Sequence, residues 1–183
     1  MDQAKKLHNE GVALFRKGEP EAALEKLQAA LSYAENNPHQ QAEIFNDLGV
    51  VYRELEDYEM AHDALDRALE QFSALNDQKG QAQTWGNRGA ILEAEEEYED
   101  AVAAYKQSAQ MFEAIGEDEM AMYVWQAISR LRTSQGQYLA AIGAYEEGVD
   151  NMPKGSFKKK ILQKILRAPG KLIGNYDDQE TNE

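Results

Sequence analysis

Five residue columns recur along this chain every 38 to 40 residues, and this periodicity limits the fold more tightly than any single motif. The first column holds Gly11, Gly49, Gly89 and Ser129. The second holds Ala23, Ala61, Ala101 and Ala141. A third holds Ala30, Ala68, Ser108 and Gly148, a fourth Leu27, Leu65, Tyr105 and Tyr145, and a fifth Leu7, Phe45, Trp85 and Trp125. Two antiparallel helices approach closely only where one side chain at the crossing is small. The first column puts that small residue on the first helix of each unit, and the second puts it on the second helix. The third column is expected to let the following hairpin pack behind. One hairpin cannot bury its apolar face alone, so successive hairpins must stack.

Local signals divide each unit into two helices. Gly18 and Pro20 separate a helix over about residues 2–17 from one over 20–35, because Gly favours the left-handed turn and Pro suits a first helical position. Asn36, Asn37 and Pro38 break the chain again. Helices are then predicted over 39–55 and up to about 75, with Asp57 capping the second. Further pairs are predicted over 79–94 and 98–115, and over 119–134 and from Gln137 to about 153. The hairpins so defined cover 1–37, 38–77, 78–117 and 118–153. No stretch alternates apolar and polar residues as a strand would.

After Pro153 the character changes. The segment FKKKILQKILRA, with Ser156 as its cap, reads as an amphipathic helix inside a basic stretch over 154–175. At about 100° per residue, Phe157, Ile161, Leu162, Ile165 and Leu166 share one half of the wheel. Lys159, Lys160, Lys164 and Arg167 lie opposite, with Lys158 at the edge. Residues 176–183 form a polar tail expected to be disordered.

Charge follows the same division. Of 183 residues, 43% are hydrophobic, enough for a core, and the net charge is -14. Residues 1–153 carry 12 cations against 29 carboxylates, while 154–183 carry 7 against 4. An acidic body argues against nucleic acid in any groove, because phosphates are repelled. There is no cysteine and no long apolar run near the start, which together point to the cytoplasm.

The pattern resembles the tetratricopeptide repeat, most clearly through Phe45, Gly49, Tyr52, Tyr58, Ala61, Leu65 and Ala68, and through Trp85, Gly89, Tyr98, Ala101 and Tyr105. The common period of that family is about 34 residues, shorter than the one here. The longer spacing is similar to the subclass found in polarity adaptors and kinesin light chains. The fourth copy departs most, with Ser129 and Arg132 where Gly and Tyr are expected. The resemblance implies an all-α, right-handed α-solenoid of four helical hairpins plus a C-terminal capping helix. It also implies a non-catalytic scaffold or adaptor that binds a protein or peptide in a concave groove.

In such a fold the first helices line the groove. The candidate contacts are His8, Asn9, Val12 and Arg16, then Asn46, Asp47, Val50 and Arg53, then Gln83 and Asn87, then Tyr123, Gln126 and Arg130. Asn46, Asn87 and Gln126 can grip a peptide backbone, since an amide offers both donor and acceptor. Arg16, Arg53 and Arg130 can hold acidic side chains. Family members that bind chaperone tails use a carboxylate clamp of Lys and Asn, then Asn, then Lys and Arg. The matching positions here are His8, Val12, Asp47, Gln83 and Asn87. None fits, and Asp47 would repel a carboxylate, so a chaperone-tail adaptor is not expected.

The basic segment offers alternatives. Lys158, Lys159, Lys160, Lys164 and Arg167 suit an anionic surface, so the chain reads alternatively as a membrane-peripheral assembly factor. Self-assembly into a homo-oligomer is a third reading. Chemistry has little footing. His8, His39 and His62 are scattered, no phosphate loop or nucleophile elbow is present, and neither a metal nor a cofactor is expected. Glu95, Glu96 and Glu97 read as a solvated turn, and Trp85 and Trp125 as core.

Overall fold

The computed structural model describes residues 3–152, together with Lys159 and Lys160. Among these, eight α-helices form and no strand does: α1 (Gln3–Phe15), α2 (Pro20–Tyr33), α3 (Pro38–Glu54), α4 (Tyr58–Ala74), α5 (Gln78–Ala94), α6 (Tyr98–Ala114), α7 (Asp118–Ser134) and α8 (Tyr138–Asp150). The helix expected after Pro153 and the polar tail lie outside the described residues, apart from Lys159 and Lys160. So does Asp2.

Helix limits follow from local chemistry. Pro20 and Pro38 open α2 and α3. Asn37, Asp57 and Asp77 cap α3, α4 and α5, their side chains accepting from the backbone N–H of Gln40, Met60 and Gly80. Six turns share one closure, in which a backbone N–H reaches the carbonyl five residues back, as in Asp57 to Tyr52 at 2.9 Å and Glu97 to Leu92 at 2.9 Å. That closure needs a left-handed residue. Gly18, Gly116 and Gly136 supply it in three turns; Glu56, Asn76 and Glu96 supply it in the others, at φ of 59°, 54° and 64°. The glutamate turn is therefore more than solvated. Glu96 holds the left-handed position, and Glu95 bonds His62 Nε2 at 2.7 Å.

Each helix packs mainly on its hairpin partner, and each hairpin on the next. The small residues sit where their columns demand. A Cβ built on Gly49 would lie 2.4 Å from Leu65 Cδ2 and 3.3 Å from the Ala61 carbonyl, and one on Gly11 would meet Leu27 at 2.8 Å. On Gly89 it would meet Tyr105 at 2.6 Å. Ser129 takes this place in the fourth hairpin because its hydroxyl donates to the Ala141 carbonyl at 2.8 Å, turning a clash into a hydrogen bond.

One expectation is widened and one corrected. The third column serves its own hairpin as well as the following one, where Ala30 joins a buried cluster with Ile44 and Leu48. Ser108 Oγ donates to the Ala82 carbonyl at 2.7 Å, and Gly148 lies against Trp125 and Met122, both within their own hairpins. Ala68 likewise clusters with Ala42 and Phe72 of its own hairpin. Spacing gives the face of a helix but not the partner it meets. Secondly, of the two tryptophans only Trp125 is buried, with its indole N–H donating to Glu113 at 2.7 Å. Trp85 is half-buried, beneath the guanidinium of Arg88 at 5.0 Å from the ring centre.

Seams between hairpins carry polar ties of repeating form. Tyr52 accepts from Gln28 of the preceding hairpin at 3.1 Å. Arg132 stands where the fourth unit lacks that tyrosine and binds Glu99 of the preceding hairpin through two bonds of 2.5 and 2.8 Å. His39 bonds Asp77 at 3.1 Å and Lys79 bonds Glu117 at 2.6 Å, joining the start of one first helix to the residue before the next.

Candidate functional site

The first helices run side by side at the start of the stack: α1 touches α3, and α3 touches α5. The arrangement then changes. α7 lies chiefly against α6 and α8. A cleft of about 490 Å³ opens there, lined from α1 through α7. Its walls include His8, Glu43, Asn46, Asp47, Gln83, Gly86 and Asn87 from the first three hairpins, with Met120, Tyr123, Val124 and Ala127 from α7. Tyr105, Ser108 and Phe112 of α6 contribute to its floor, together with Phe72 of α4. Gly86 matters to its shape, since a Cβ there would stand 3.2 Å from Ser108 Oγ and narrow the space above α6.

Of the candidate residues, His8, Asn46, Asp47, Gln83, Asn87 and Tyr123 meet in this cleft. Gln126 and Arg130 line a separate, more open pocket with Ser129, Thr133, Ser134 and Tyr145. Asn9, Val12, Arg16, Val50 and Arg53 line neither. The second-helix residues Tyr105, Ser108 and Phe112 are not among the sequence-based candidates, which all lie on first helices. The glycine at position 86, breaking the face of α5, is the sequence signal that could have found them.

Several candidates are already partnered. Asn87 Nδ2 donates to Asn46 Oδ1 at 3.0 Å, and His8 Nε2 lies 2.7 Å from Asp47 Oδ2. Each pair spans two hairpins. Each amide keeps further capacity: one N–H and the carbonyl of Asn87, and both N–H groups of Asn46. Arg130 approaches Glu93 at 3.6 Å, and Arg53 approaches Glu54 at 4.0 Å. Two of the three expected anchors for acidic side chains thus face carboxylates of their own chain. Tyr105 donates to Glu93 at 2.8 Å; burial first, and then this carboxylate, raise its hydroxyl pKa well above the usual tyrosine value.

No group of three or more His, Cys, Asp or Glu among the described residues is placed to hold a metal. Among the same residues, no helix is long and apolar enough to cross a membrane. Of the basic candidates, Lys158, Lys164 and Arg167 lie outside the described residues. Lys159 donates to the carbonyls of Asp150 and Met152 at 2.5 and 3.1 Å, at the end of α8, and Lys160 is exposed.

Among solved structures, BtubC from P. vanneervenii superposes with a TM-score of 0.69 at 16% identity, covering 98% of this chain and 68% of that one. A MamA structure superposes at 0.59 and 20% identity, covering 82% and 78%. A second MamA structure gives 0.59 and 21%, covering 82% and 73%. At these identities the likeness concerns the fold. No curated protein matches. The tetratricopeptide repeat profile matches residues 2–74 and again 80–154, most of the length. With the stacked hairpins and their columns of small residues, that match makes this chain a member of the tetratricopeptide repeat family.

Proposed function

We propose that this chain is a non-catalytic adaptor that holds a segment of a partner protein in the cleft between α3, α5 and α7. The family membership supports an interaction role, and the lining of the cleft carries the finer reading. Remaining amide valences on Asn46, Asn87 and Gln83 can meet a peptide backbone, while Tyr123, Val124 and Met120 offer apolar contact. A preformed cleft of this size suits a few side chains of a bound segment, and the surrounding helices fix its shape in advance.

The test is a selection of peptides from a random library on the full chain, followed by affinity measurements on variants. Gln83→Ala and Tyr123→Ala are expected to weaken the selected peptides by about tenfold or more, as loss of central contacts does. Tyr33→Ala, on an exposed tyrosine at the end of α2 and away from the cleft lining, serves as the control. Equal affinity across all three variants would remove the cleft as the binding site.

A further inference from the structure

We infer that the cleft selects a cationic, amphipathic segment, and that residues 157–168 of a second copy of this chain supply it. This rests on the cleft being the binding site and adds the chemistry and source of its occupant.

The lining is polarised. Its α3 side carries two carboxylates, Glu43 and Asp47, and among the described residues no lysine or arginine lines the cleft. Both carboxylates have histidine neighbours: His8 bonds Asp47, and His39 stands 3.8 Å from Glu43, while Arg53 and Arg130 act on Tyr105 at the cleft floor. Its far side, built by Phe112, Met120, Val124, Ala127 and the 60% exposed Tyr123, is apolar. An occupant that matches both ends carries cations and large apolar side chains within a short span. An acidic segment would meet repulsion at Glu43 and Asp47.

Residues 1–153, with 29 carboxylates against 12 cations, contain little of this chemistry. Residues 157–168 contain it throughout: five cations, five large apolar side chains and no carboxylate. Lys159 shows why the donor is another copy. Its ammonium is held by the last carbonyls of α8, so the segment begins at the end of the fourth hairpin. Glu43 and Asp47 belong to the second hairpin, roughly 20 Å away at about 10 Å per packed layer. If they form the helix expected from the sequence, the nine residues from Lys160 to Ala168 would reach about 13 Å. A second molecule has no such limit. The resulting contact is head-to-tail, so it propagates into open chains rather than stopping at a dimer.

The experiment is sedimentation of the full chain over a range of concentrations, at low and high salt. The expected result is a mean mass that rises past the dimer without a plateau and falls as salt screens the contact. Reversing the cleft (Glu43→Lys with Asp47→Lys) or the segment (Lys158→Glu, Lys160→Glu and Lys164→Glu) is expected to weaken association by about tenfold or more. A chain carrying both reversals is expected to recover it. Circular dichroism follows folding, because Asp47 also bonds His8; Tyr123→Ser removes an apolar contact with the carboxylates left in place and should weaken assembly likewise.

A full chain that stays monomeric at every concentration overturns the inference. So does assembly that survives both cleft variants, since the segment would then dock elsewhere. A monomer that floats with anionic vesicles, and loses flotation on segment reversal, also overturns it and assigns the segment to lipid. None of these outcomes touches the library selection, where loss of affinity in Gln83→Ala and Tyr123→Ala stands or falls alone.

Discussion

Asn87 donates a side-chain hydrogen bond of 3.0 Å to Asn46, across the seam between the second and third hairpins and at the wall of the cleft. The same two amides that suit a peptide backbone therefore also tie the stack together. Asn46→Ala, Asn87→Ala and the double variant should show a coupling of about 0.5–1.5 kcal/mol in urea unfolding, the usual net worth of such a bond. Additive losses would mean that the bond contributes nothing across the seam.

Close approach at the small-residue column can be measured by contrast with an open glycine. Gly49→Ala forces a Cβ against buried Leu65 and should destabilise by about 1–3 kcal/mol. Gly143→Ala meets nothing within 4 Å on α8 and should stabilise by about 0.5–1 kcal/mol through helix propensity. Chemical denaturation of both variants reads the two signs.

The left-handed glutamates offer a gain. At Glu96, φ of 64° costs a side chain what it does not cost glycine. Glu96→Gly should raise stability by about 0.5–1 kcal/mol net of the added freedom of the unfolded chain. A lower melting temperature for Glu96→Gly would show instead that the glutamate side chain contributes to the turn.

Tyr105 gives the fold an alkaline limit. Its pKa is higher folded than unfolded, so the stabilisation is whole below the unfolded value and is lost as pH rises past it. From about pH 10 upward the native state should lose close to 1.4 kcal/mol per pH unit through this group, until the folded pKa is reached. Tyr105→Phe should flatten that part of the stability profile. Unfolding followed from pH 8 to 11 in both proteins checks the difference.

Helix limits were legible because their causes are local: Pro20 and Pro38 at first positions, and Asp57 as a cap, act within one turn. The first column was legible because Gly11, Gly49 and Gly89 leave no room for another residue. The cleft was only partly legible. Asn46 and Asn87 were placed on a shared face, but their mutual bond depends on how two hairpins sit together. The place of Tyr105 and Phe112 in the cleft is not legible in the sequence, because they join it only where α7 leaves α5 and rests on α6. Arg132 reads in sequence as a departure from the repeat, and only the fold sets Glu99, thirty-three residues earlier, opposite it.

That lean of α7 onto α6 governs more than shape. One wall of the cleft belongs to α3 and α5 and the other to α7, so its aperture depends on the angle at a single joint. Arg132 and Glu99 clasp that joint on its outer side. The Arg132–Glu99 pair thereby helps set the separation between Tyr123 on one wall and Asn46 and Asn87 on the other.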